Sequence, residues 1–158
     1  MAQQALDIST LPEIDGARIA ILLSKWYADH VQSLHDKCVE VLRAKGVTDI
    51  TVHTLPGTFE FPYAAGELAA ADPDIDAMIC FSVVLKGDTM HFEMIVDECV
   101  RGLGEVSRRA RIPIINEILP VTDITQAEIR TADDEFNKGI EAAAAAIEII
   151  HWSRSLTG

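Results

Sequence analysis

Gly87, Asp88, Thr89 and His91 stand together directly after an almost unbroken apolar run, Ala77-Met78-Ile79-Cys80-Phe81-Ser82-Val83-Val84. Of these, His91 is the side chain that exchanges a proton near neutral pH at its ordinary pKa. The apolar run reads as a strand buried on both faces, as a parallel sheet covered by helices requires. The chain turns at Gly87 and enters a helical pattern, which places the first free amides of that helix at the carboxyl edge of the sheet. Open α/β sheets bind ligands at that edge, and a helix N-terminus there suits an anion such as phosphate. A phosphate cradle beside a proton-transfer group is a reaction centre in outline.

Other strand ends add candidates. Lys25, Trp26 and Tyr27 follow the first predicted strand. An aromatic there ordinarily caps the core; it can also stack on a flat heterocycle. Gly57-Thr58-Phe59-Glu60 follows the second strand, offering amides, a hydroxyl and a carboxylate, and reads by itself as a helix cap with a favourable acid. Asn116, Arg130 and Lys138 lie near the fourth strand and beyond; the two cations read individually as surface residues of an acidic protein. Their shared location points to a site for an aromatic, polyol-bearing or phosphorylated small molecule. The chain carries no Walker-type loop, no GxGxxG, no Cys or His pair at metal spacing and no nucleophile elbow. The expectation is therefore no metal and no cofactor, with one histidine shuttling protons in carbonyl–amine chemistry.

The elements that position these residues alternate. Strands are predicted at 18–24, 50–54, 77–85 and 113–119. Val31, Leu34, Cys38, Val41 and Leu42 recur at helical spacing with Gly46 as a stop, Thr58 caps a second helix with Pro62 in its first turn, and Phe92 to Val106 marks a long third. Helices at about 125–135 and 137–152 follow, the second rich in alanine. This alternation implies right-handed crossovers: a three-layer αβα sandwich with a four-stranded parallel sheet, flavodoxin-like. Residues 1–15 lack periodicity and are expected to form an irregular arm before a single domain at 16–158.

At 158 residues, with 49% apolar and 24% charged content, the composition is that of one soluble globular domain. The 13 Lys+Arg against 25 Asp+Glu give a net charge of -12, which opposes nucleic acid or an anionic membrane as partner. Cys38, Cys80 and Cys99 lie in apolar patterns and read as core thiols of a reducing compartment. No signal peptide or membrane-spanning stretch is apparent, so the expected location is cytoplasmic.

With these residues in place, the chain from about Arg18 to Ile150 resembles the 6,7-dimethyl-8-ribityllumazine synthase family. Leu55-Pro56-Gly57-Thr58-Phe59-Glu60-Phe61-Pro62 is similar to its Val-Pro-Gly-x-aromatic-Glu-x-Pro, and Val84-Leu85-Lys86-Gly87-Asp88-Thr89-Met90-His91-Phe92 to its Val-Ile-(Arg/Lys)-Gly-x-Thr-x-His-aromatic. Gln126 to Arg130 and Asn137-Lys138-Gly139 resemble its closing motifs. The resemblance implies condensation of 5-amino-6-(D-ribitylamino)uracil with 3,4-dihydroxy-2-butanone 4-phosphate, releasing phosphate and water, without cofactor or metal. It implies that Trp26 stacks on the pyrimidine, that Thr58, Phe59, Glu60, Val83, Val84 and Leu85 bind the uracil and ribityl chain, and that Asp88, Thr89 and Arg130 hold the phosphate. His91 would move protons, and Lys138 stands where the family has an active-site lysine. It further implies a homopentamer or larger shell, with Asn116, Arg130 and Lys138 supplied by a neighbouring chain.

Two departures stand out. The family's aromatic-Asn after the first strand is Trp26-Tyr27 here, and its Phe-Gly-(Val/Leu)-Leu-Thr is Asn116-Glu117-Ile118-Leu119-Pro120. A diverged homologue that binds a lumazine or flavin without turnover is the alternative reading.

Overall fold

Strand β3 (Ala77–Leu85) is the axis of the molecule, buried along its length except at Leu85. Its alternate side chains feed two cores. Ala77, Ile79, Phe81 and Val83 join one apolar cluster; Met78, Cys80 and Val84 join the other. Burying a side chain such as Ile79 or Phe81 contributes about 1.5–3 kcal/mol, so both faces of this strand hold the layers together.

The computed structural model describes residues 4–158. Around β3 the chain places β1 (Arg18–Ser24), α1 (Ala28–Ala44), β2 (Asp49–Leu55), α2 (Phe61–Ala71), α3 (His91–Ala110), β4 (Ile114–Val121), α4 (Ile124–Arg130) and α5 (Lys138–Ser155), with 3-10 turns at Ile8–Thr10 and Thr58–Glu60. The sheet order is β2-β1-β3-β4, and every pairing is parallel. From β1 the chain steps one way to β2, then crosses back past β1 to β3 and on to β4. Right-handed crossovers in opposite directions put α1 on one face and α2 and α3 on the other. This is the expected three-layer αβα sandwich. Its topological switch point lies between β1 and β3, where such sheets open a crevice.

Helix α1 buries Val31, Leu34, Cys38, Val41 and Leu42, the stripe its periodicity predicts, and Gly46 at φ 91° ends it. Helix α5 packs on α1 through Ala142, Ala143 and Ala146. Gly139 is obligatory at this contact, because a Cβ there would stand 2.0 Å from the Leu34 carbonyl oxygen. The alanines therefore serve close packing as well as helix propensity. All three cysteines are buried and free, and burial pushes the Cys99 thiol up to about 12.

Some boundaries differ from expectation. Helix α4 ends at Arg130 rather than about 135. Thr131 turns its hydroxyl back on the Ala127 carbonyl at 2.9 Å, and the Asp134 carboxylate accepts the Phe136 amide at 2.9 Å, so local side-chain bonds compete with the helix. Thr58 does not cap α2: Gly57 precedes a 3-10 turn, α2 begins at Phe61, and Pro62 sits in its first turn. In the N-terminal segment, Leu11 and Ile14 are buried in the α1–α5 core. The three N-terminal residues lie outside the described region.

Candidate active site

A cleft of about 560 Å³ opens at the carboxyl ends of β1, β2 and β3. It brings together eight residues singled out from the sequence: Trp26, Thr58, Phe59, Glu60, Val83, Val84, Leu85 and His91. Tyr27, Pro56, Gly57, Met94 and Ile95 complete its lining.

Each wall has a local cause. Trp26 leaves β1 with its indole largely exposed, and its amide donates to Ser24 Oγ at 3.2 Å. A Cβ on Gly57 would lie 3.7 Å from the indole Nε1 and 3.1 Å from Glu60 Oε2, so the glycine lets ring and carboxylate close over the turn. Thr58 is buried, and its Oγ1 lies 2.5 Å from Ser82 Oγ, a hydroxyl pair that ties the 3-10 turn to β3. His91 is the first residue of α3, where aligned amides favour negative charge, and its own amide donates to Thr89 Oγ1 at 3.3 Å. The imidazole is exposed toward the cleft, and no hydrogen bond to a described residue engages it. Lys86 Nζ pairs with Glu93 Oε1 at 2.8 Å across the loop, holding that carboxyl below its ordinary range.

Asp88 and Thr89 are exposed in the loop before α3, beside the cleft but outside its lining. Asn116, Arg130 and Lys138 lie away from it in this chain. Asn116 Oδ1 accepts the Ile118 amide at 3.1 Å. Arg130 Nη1 donates to the Gln126 carbonyl at 2.9 Å, and Lys138 Nζ contacts both Glu141 carboxylate oxygens at 2.7 and 2.8 Å.

The two cations belong to one braced unit. Buried Asn137 donates from Nδ2 to Ser33 Oγ at 3.1 Å and to the Ala132 carbonyl at 2.8 Å, while its Oδ1 accepts the Gly139 amide at 2.8 Å. Ser33 in turn donates to the Thr131 carbonyl at 2.6 Å. His30 Nδ1 lies 2.7 Å from Thr131 Oγ1. The Thr131 proton already goes to Ala127, so the imidazole is the donor. Helix α1 thus fixes the segment running from Arg130 to Lys138.

Glu117 sits on β4 between Ile115 and Leu119, facing the α1–α5 core. Burial first, and the Glu141 carboxylate second, push its carboxyl up to about 7, partly offset by Lys138.

The sequence reading named Tyr27 beside Trp26 at the end of the first strand without choosing it as a site residue, and it left Met94, Ile95 and Ser82 out of the site. Met94 and Ile95 stand three and four residues after His91, so helical spacing alone puts them on its face. Ser82 is the one hydroxyl in the β3 apolar run. Among the described residues, no group of three or more His, Cys, Asp or Glu side chains is arranged to hold a metal ion.

A family model described as 6,7-dimethyl-8-ribityllumazine synthase matches residues 16–154. The chain is similar to a 6,7-dimethyl-8-ribityllumazine synthase of Stenotrophomonas maltophilia (strain K279a), 35% identical over 144 residues, spanning 90% of this chain and 92% of the relative. Another, from Nitrosomonas europaea, is 38% identical over 146 residues, spanning 91% of this chain and 86% of that one. Among solved structures, the crystal structure of the RadB recombinase overlaps at a TM-score of 0.38 and 15% identity, over 78% of this chain and 60% of its own, too loosely to bear on the fold. A cleft built from both signature motifs, in a chain whose sequence these relatives match almost end to end, leads to one assignment: the chain belongs to the 6,7-dimethyl-8-ribityllumazine synthase family of riboflavin biosynthesis.

Proposed function

We propose that this protein condenses 5-amino-6-(D-ribitylamino)uracil with 3,4-dihydroxy-2-butanone 4-phosphate to 6,7-dimethyl-8-ribityllumazine, releasing phosphate and water, in a cleft completed by a second copy of the chain. The observation that carries this reading is the convergence of Trp26, Thr58 to Glu60, Val83 to Leu85 and His91 on one crevice. The aromatic wall suits the pyrimidine. The Glu60 carboxylate and the polar turn suit uracil and ribityl donors.

At the other end, the Asp88 and Thr89 amides and the N-terminus of α3 suit the phosphate, with Arg130 as its bidentate partner. The 5-amino nitrogen attacks the ketone carbonyl and water leaves to form an imine. Phosphate is then eliminated, and the ribitylamino nitrogen closes the ring with loss of a second water. His91, one turn from Met94 and Ile95 at the cleft wall, is placed to give and take protons in these steps.

Arg130, Lys138 and Asn116 reach such a site only from a neighbouring chain, which supports a homopentamer or larger shell. Exposed Phe59, Tyr63, Met94 and Val100 on the α2–α3 side support a subunit contact there. The buried free thiols fit a reducing, cytoplasmic setting. Lumazine formation followed by absorbance tests the reading. His91→Ala should lower turnover about 100-fold or more while changing product binding far less. Unchanged turnover would make the histidine a spectator, and a monomer in light scattering would remove the shared site.

A further inference from the structure

We propose that Tyr27 is a further substrate-binding residue, held in a strained backbone conformation so that it can line the heterocycle end of the cleft. This rests on the function proposed above and adds to it a residue that neither motif contains.

The first observation is conformational. Tyr27 has φ 55° and ψ 47°, left-handed, and is one of two described non-glycine residues with positive φ. A bulky side chain pays for that geometry, whereas Asn or Gly adopts it readily. The second is location. Tyr27 caps the N-terminus of α1 without any side-chain capping bond, its carbonyl accepts the Val31 amide at 3.1 Å, and it lines the cleft next to Trp26. The residue is 39% exposed, so core burial does not account for keeping an aromatic there. Strain that persists at a functional site, unexplained by packing or capping, points to use by the ligand.

The third observation is compensation. Position 116 holds an amide on β4 that does not line the cleft of its own chain, so the aromatic content of this crevice comes from Trp26, Tyr27 and Phe59. Two consecutive aromatics at the end of β1 can present adjoining faces to a flat pyrimidine, with Lys25 Nζ 5.4 Å from the Trp26 ring centre.

The test uses the full chain, Tyr27→Asn, Tyr27→Phe and Trp26→Ala, with 6,7-dimethyl-8-ribityllumazine as the probe in calorimetric titration and thermal unfolding alongside. Tyr27→Asn should weaken binding about 3- to 10-fold, the range for loss of one aromatic contact. The same variant should raise the melting temperature by about 2–4 °C as the left-handed strain is relieved. Tyr27→Phe should recover most of the affinity, and the KM of Tyr27→Asn should rise for the pyrimidine and not for the butanone phosphate. Unchanged binding in Tyr27→Asn beside weakened binding in Trp26→Ala would overturn the Tyr27 assignment alone. A lowered melting temperature, or failure of Phe to restore affinity, would also overturn it. Unchanged binding in Trp26→Ala as well would place the heterocycle elsewhere and remove the cleft reading itself.

Discussion

Glu117→Gln should stabilise the protein at pH 8 and do little at pH 5. The Glu117 carboxyl faces Cys38 from α1 and Glu141 and Lys138 from α5, and its pKa rises from the ordinary 4.5 to about 7, chiefly through burial. The folded state therefore holds this proton more tightly than the unfolded chain does. The stability it contributes is full below about 4.5, declines as pH rises, and is gone above about 7. A rise of that size converts to about 3 kcal/mol of ionisation penalty at alkaline pH, and partial exposure brings it to about 1–2 kcal/mol. Glutamine keeps the shape and removes the charge. Thermal unfolding of both proteins at pH 5 and pH 8 should show the variant gaining about 2–8 °C at pH 8 only. An equal loss at both pH values would refute the reasoning, because it would mean the carboxyl is held by a specific hydrogen bond rather than penalised as a buried charge.

Gly139→Ala should cost about 3 kcal/mol or more, since the added carbon meets backbone rather than a side chain that can move, and a melting temperature close to the parent's would deny the α1–α5 contact. Ser82→Ala should cost about 1–3 kcal/mol by leaving the buried Thr58 hydroxyl without its partner, with Ser82→Thr retaining part of that stability in the same unfolding measurement. Arg130→Ala should raise the KM for the butanone phosphate about 10- to 100-fold and that for the pyrimidine much less, with Arg130→Lys recovering only part. Equal effects on both substrates would move the phosphate contact to Lys86 or Lys138.

The sheet and its order of elements were legible because β3 is apolar on both faces and α1 repeats its apolar residues at helical spacing, each pattern having one geometric solution. Legibility failed where local chemistry competes with periodicity. Thr131 and Asp134 end α4 early through bonds that a hydrophobic pattern does not register, and Thr58 spends its hydroxyl on Ser82 rather than on a helix amide. Strand β2 was found although it is an edge strand with Val52 exposed, because its β-branched residues and the following Pro56-Gly57 bound it on their own. The cleft half of the site was readable from strand ends. The left-handed turn at Tyr27 was not, since a single non-glycine residue in that region leaves no pattern in sequence. Arg130 and Lys138 were chosen through resemblance to family motifs, and a single chain holds them away from the cleft, braced by Asn137, Ser33 and His30 of the same chain.

The central claim is that His91 of one copy works with Arg130 of the next. Co-expressing His91→Ala and Arg130→Ala chains in equal amounts, and assaying lumazine formation at low butanone phosphate, tests this directly. Each variant alone should be nearly inactive under these conditions. Random mixing in a closed ring leaves about one site in four with both residues intact, so the mixed protein should regain about a quarter of parental activity. Activity no greater than the sum of the two variants assayed separately would place both residues in a site within one chain and contradict the account.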